Sequence, residues 1–146
     1  MATPVAVGEA MIEKTCNLWL EPADYRCILT NAAVADGEAV LETRSAREAA
    51  TKYAGLALDL GRLLTARGNH VHVIRPGLCS FPTKQYQWAG PTQAIIERSA
   101  RELAALVGTS KTLLPQPGCG EGELAWADVA KVLACLPDNV IVVGGA

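Results

Sequence analysis

The sequence predicts a three-layer α/β domain with a mixed sheet. Segments of strand length alternate with segments of helical periodicity along the 146 residues. Val140 to Val143 is a continuous apolar run, as in a strand buried on both faces. A glycine-rich run within Leu114 to Trp126 joins an apolar strand to the start of a helix. Such a loop lets backbone N–H groups approach a phosphate, and the helix N-terminus adds positive partial charge there.

The elements follow in order. Met11 to Trp19 contains a short strand. Tyr25 to Leu29 reads as a strand with Tyr25, Cys27 and Leu29 on one face and Ile28 on the other. Asn31 to Asp36 reads as loop, and Asp36-Gly37 is a strong turn signal. Ser45 to Ala66 is helical, interrupted at Gly55 and Gly61. Thr43 or Ser45 caps it, with Glu48 suited to a capping box on Ser45. Ala46, Ala49, Ala50 and Tyr53 form its apolar stripe, and Arg67-Gly68-Asn69 ends it.

Val71 to Ile74 and Leu78 to Phe81 are strands around the Pro76-Gly77 turn. Pro91 to Val107 is the clearest helix, with Ile95, Ile96, Ala100, Leu103, Ala104 and Val107 on one side. Lys111 to Leu114 is a strand. Trp126 to Leu136 is a helix with Val129, Val132 and Leu133 inward, and Val140 to Val143 is the last strand.

Composition narrows the class. The length fits one domain spanning residues 1–146. The chain is half hydrophobic with few aromatics, so its core is mostly Ala, Leu and Val. A formal net charge of −2 argues against a general DNA-coating surface. The five cysteines, Cys16, Cys27, Cys79, Cys119 and Cys135, show no C-x-x-C spacing. That pattern reads as reduced, mostly buried thiols in the cytoplasm. No run reaches the ~18 apolar residues of a membrane span, and Met1 to Gly8 lacks the features of a signal peptide.

Ligands in such sheets sit outside the C-terminal ends of the strands. The loops there are Thr30 to Arg44, Phe81 to Gly90 and Pro115 to Leu124. In the last, Gly118, Gly120 and Gly122 fit a phosphate-cradling turn, or a tight connection that merely needs glycine dihedrals. Glu121 and Glu123 oppose a bound anion. Lys84, just past a strand, pairs with phosphate, or serves proton transfer if burial lowers its pKa, or is a solvated loop lysine. Trp88 either stacks on a base or packs under its loop. Asn31 either bonds a ribose hydroxyl or holds its own loop in an Asx-turn. His70 and His72 share a strand face in the spacing of metal ligands, but no third ligand is evident, so no metal is expected.

Taken in order, these pieces resemble a macro domain, the module that binds ADP-ribose, in its bacterial and phage branch. The matching segments are Asn17-Leu18-Trp19, Leu29-Thr30-Asn31-Ala32, Phe81-Pro82-Thr83-Lys84 and Pro117-Gly118-Cys119-Gly120-Glu121-Gly122-Glu123-Leu124-Ala125-Trp126. The last is the most specific, and the resemblance covers nearly the whole chain. It implies a mixed six-stranded sheet between helices, with ADP-ribose across the strand ends. It implies that Asn31, beside Thr30, contacts the distal ribose. It also implies that Gly118, Cys119, Gly120, Glu121 and Gly122 form the diphosphate loop. In a related antitoxin branch that removes ADP-ribose from DNA, the lysine matching Lys84 is catalytic.

Two departures stand out. The family's first phosphate loop reads roughly M-G-x-G-V-A; here it is Leu41-Glu42-Thr43-Arg44-Ser45-Ala46. Both glycines are gone, Glu42 brings a carboxylate, and Arg44 and Ser45 remain as ligand-binding candidates. In the second loop, Glu121 and Glu123 replace Asn and Gly. The expected function is binding of ADP-ribose or a related nucleotide, with hydrolysis of an ADP-ribosyl bond as a further activity. No cofactor or membrane partner is expected, and nucleic acid enters only as an ADP-ribosylated substrate. The alternative is a degenerate macro fold that acts as an interaction module, for example as a homodimer, or that binds a less anionic ligand.

Overall fold

The computed structural model describes residues 12–86, 88–119 and 124–144. Its main sheet has six strands in the order β1-β8-β7-β2-β6-β5. These are β1 (Ile12–Thr15), β2 (Tyr25–Thr30), β5 (Val73–Arg75), β6 (Leu78–Pro82), β7 (Thr112–Pro115) and β8 (Val140–Gly144). β5 runs antiparallel to β6 and the other pairings are parallel, so the sheet is mixed. The final strand is not at an edge. β8 lies between β1 and β7, and its continuous apolar run follows from cover on both faces.

Side-chain alternation sorts the strands between two layers. Cys27 faces one core cluster with Cys79, Phe81, Leu114, Val140 and Val142. That cluster is closed by Ile96, Ala100 and Leu103 of α3 (Gln93–Val107) and by Val129 of α4 (Trp126–Val132). Ile28 faces the other side, with Leu78 and Ile74, under α1 (Arg44–Lys52) and α2 (Leu56–Arg67). The predicted split of Cys27 from Ile28 is therefore what the sheet shows.

Among the described residues, no helix covers the second face of β7 and β8. Leu18 packs there on Leu113 and Val143, with Cys16, Trp19 and Ala23 at its margin. Arg26 holds this segment by donating from Nε to the Leu18 carbonyl at 2.8 Å and from Nη2 to the Glu21 carbonyl. Glu21 also accepts from Lys14 at 2.9 Å and from Lys111 at 3.0 Å, tying it to β1 and to the start of β7.

Several local expectations are corrected. Asn31 to Asp36 is not all loop. β3 (Val34–Ala35) and β4 (Glu38–Ala39) form an antiparallel hairpin around Asp36 and Gly37, both at positive φ. The long helix is two helices, broken at Gly55 with φ +76°. Gly61 does not interrupt α2. It lets the hairpin approach closely, since a Cβ there would lie 2.2 Å from the Gly37 carbonyl oxygen.

Thr43 is the N-cap of α1, and its side chain accepts from the Ala46 N–H. Ser45 lies inside the helix, so Glu48 builds no capping box. Ala46 and Ala49 are buried but Ala50 is exposed. α3 begins after Thr92 rather than at Pro91, and Ser99 joins its buried face by donating to the Pro82 carbonyl at 2.7 Å. α4 tightens into a 3₁₀ turn at Leu133–Cys135. His70 and His72 precede β5 instead of lying on it.

Candidate functional site

A cavity of about 910 Å³ opens at the C-terminal ends of the parallel strands, within the size range of small-molecule sites. β2 contributes Leu29 to its wall, and β8 contributes Val143 and Gly144. The loop after β6 supplies Thr83 and Lys84, and the loop after β7 supplies Gln116, Gly118 and Cys119. Glu42 and Thr43 before α1, and Arg44, Ser45, Arg47 and Glu48 on it, line the cavity as well, together with Asn17, Leu18 and Trp19. Segments far apart in sequence thus meet where the sheet topology predicts a ligand.

The hydroxyls of Thr43 and Ser45 fix α1 to the end of β2. Thr43 Oγ1 donates to the Leu29 carbonyl at 2.7 Å, and Ser45 Oγ accepts from the Leu29 N–H at 3.0 Å. The loop carrying Lys84 is braced as well. The Thr83 N–H donates to the Thr30 carbonyl, and the Asn69 amide donates to the Lys84 carbonyl at 3.1 Å. These bonds position the charged side chains before any ligand arrives.

Two ion pairs lie on the cavity wall. Lys84 Nζ lies 3.4 Å from Glu42 Oε1, so Glu42 points to the cavity lysine. Arg44 Nε lies 3.2 Å from Glu48 Oε2, and the Trp19 indole N–H donates to Glu48 Oε1 at 2.9 Å. The Lys52 ammonium sits 5.3 Å from the Trp19 ring centroid. Sequence alone does not mark Trp19, Arg47 or Glu48 as site residues. The Asn17-Leu18-Trp19 match was the signal that pointed to the first.

The Trp19 hydrogen bond, then Arg44 and Lys52, holds the Glu48 carboxyl below the ordinary glutamate value. Its folded pKa is lower than its unfolded one, near 4.3. Glu48 therefore adds stability that is fully present above about pH 4.3 and fades as pH falls through the folded value. A carboxyl NMR titration should place the Glu48 midpoint below ~4.3 and move it upward in Trp19→Phe, which keeps the ring but cannot donate. An unmoved midpoint would remove the indole as the cause.

Cys119 lines the cavity, but burial pushes its thiol pKa up, so it is protonated at neutral pH and a poor nucleophile. Gly118 has φ +76°, and a Cβ there would lie 2.9 Å from side-chain atoms of Ile96 and Leu124. Gly120, Glu121, Gly122 and Glu123 lie outside the described residues. Thr30 and Asn31 are not on the cavity wall. Both are buried, and Asn31 accepts from the Ala33 N–H at 2.8 Å in an Asx-type turn.

Trp88 is not packed under its loop. It is exposed and stacks on Tyr86, with ring centroids 4.7 Å apart. His70 pairs through Nδ1 with Glu102 at 2.8 Å, and His72 Nε2 lies 2.8 Å from the Gly68 carbonyl. Among the described residues, no group of three or more His, Cys, Asp or Glu is placed to hold a metal. None of the described helices is long and apolar enough to cross a membrane.

No protein-family model matches this sequence, and no curated protein matches it. Solved structures do match. The macrodomain of Thermus aquaticus DarG aligns with TM-score 0.72 at 16% identity, covering 92% of this chain and 98% of that one. The macrodomain of Mycobacterium tuberculosis DarG aligns with TM-score 0.72 at 18% identity over 92% and 98%. Thermosipho africanus DarTG, solved in complex with ADP-ribose, aligns with TM-score 0.62 at 15% identity, covering 88% of this chain and 40% of that one. The chain has the macrodomain fold.

Proposed function

We propose that the strand-end cavity binds ADP-ribose or a related nucleotide. One observation carries this reading: Lys84, the start of α1 and the Gly118–Cys119 loop converge on one cavity at the predicted ligand face. The ADP-ribose held by the Thermosipho africanus DarTG structure is consistent with it. In this reading Lys84 attracts the anionic part of the ligand, and Gly118 and Cys119 approach it through their backbone. Arg44 adds positive charge at the rim, and Ser45 helps hold that rim in place. Gly120, Glu121 and Gly122 belong to the same loop by sequence. Thr30 and Asn31 act as positioning residues, since Thr30 anchors the Thr83 N–H and Asn31 shapes the loop beside it.

The same site supports hydrolysis of an ADP-ribosyl bond, with Lys84 assisting proton transfer. Calorimetric titration with ADP-ribose tests binding, and a dissociation constant weaker than ~1 mM would remove the reading. Release of ADP-ribose from modified DNA or protein tests hydrolysis. Lys84→Met should lower that release by about 100-fold or more, the range of a lost acid–base group. Unchanged release would take Lys84 out of the reaction.

A further inference from the structure

The cavity already contains an anion where an anionic ligand is expected to go. The Glu42 carboxylate lies 3.4 Å from Lys84 Nζ, and the Lys84 side chain is only 17% exposed. Glu42 also directly precedes Thr43, the N-cap of α1, whose first turn carries no acidic residue. The lysine favours a built-in carboxylate. Arg44, the neighbouring rim cation, is matched in the same way by Glu48. Among the described wall residues, Lys84, Arg44 and Arg47 stand against Glu42 and Glu48, which leaves one net positive charge. A diphosphate brings two negative charges to this wall and must displace or oppose Glu42 to reach Lys84.

The geometry points to Glu42 as an internal competitor for Lys84 that sets how much negative charge the cavity accepts. It favours a nucleoside or singly charged nucleotide over a diphosphate. This rests on the proposed nucleotide site and names the ligand class that the site selects. The carboxylate is a specificity determinant because it acts on the charged part of the ligand and not on its base or sugar. Its cost to a diphosphate falls with added salt, since the wall is partly open to solvent.

Calorimetric titration of the wild type and Glu42→Gln with inorganic pyrophosphate, ADP-ribose and adenosine tests this. Glutamine keeps the size of the side chain and removes its charge. Affinity for pyrophosphate and ADP-ribose should rise about tenfold or more at low salt, while adenosine changes by less than about twofold. Glu42→Ala should give the same pattern, which separates charge from side-chain contacts. Equal pyrophosphate affinity in wild type and variants, or no pyrophosphate binding by any of them, overturns the inference. An equal gain for adenosine also overturns it, since the change is then one of cavity shape. A gain for pyrophosphate with no binding of ADP-ribose or adenosine by any protein supports the role of Glu42 and removes the nucleotide reading instead.

Discussion

Phe81→Ala should cost about 3–5 kcal/mol in unfolding free energy, the largest loss expected from a single side chain here. Phe81 is fully buried in β6, in the cluster closed by Ile96, Ala100 and Leu103 of α3. The truncation loses the transfer energy of the ring and leaves a cavity between sheet and helix. A rigid strand in register with β2 cannot collapse to fill that space, because Leu29 is paired opposite Phe81. Domains of this size are stable by roughly 5–15 kcal/mol, so the variant should be close to its threshold. Urea unfolding followed by far-UV circular dichroism measures the difference. A cost below ~1 kcal/mol would mean that Phe81 does not pack between β6 and α3.

Gly61→Ala should destabilise the protein although alanine is the better helix former. In an exposed helix the exchange stabilises by about 1 kcal/mol. Here the added methyl would lie 2.2 Å from the Gly37 carbonyl oxygen and 3.0 Å from the Ala39 nitrogen, both backbone atoms. Backbone cannot rotate aside as a side chain can, so the whole β3–β4 hairpin must shift from α2. Overpacking of this kind costs about 1–3 kcal/mol, and contact with backbone belongs at the upper end. A net loss of about 2 kcal/mol is expected in the same urea assay. Equal or greater stability than the wild type would show that the hairpin does not rest on α2.

Gly61 also shows where sequence reading stops. On the chain it is a glycine at a helix interior, which reads as a weakness. Its role depends on a hairpin more than twenty residues earlier that packs against it only once the chain folds. The hairpin was half legible: Asp36-Gly37 announced the turn, but two-residue strands are too short for any period to register. The Ser45 capping box failed for a related reason. Thr43 and Ser45 both fit an N-cap locally, and the choice fell to their bonds with Leu29 on another element.

The chain order of the main-sheet strands, the two faces of β2 and the mixed sheet were legible because each follows from local periodicity and turn chemistry. The Lys84 loop and the Gly118 loop were legible as strand-end features, since apolar strands point to both. Sequence also located Glu42 in the altered first loop. It could not say where that carboxylate points. A side chain's direction depends on the charges that surround it in space, and Lys84 lies more than forty residues further along the chain. Trp19 and Glu48 were joined in the same way, across 29 residues. Local pattern therefore reached the architecture and the face of the sheet that carries the cavity. The pairing of its charges, which sets what the cavity accepts, arose only when the loops after β4 and β6 were brought together.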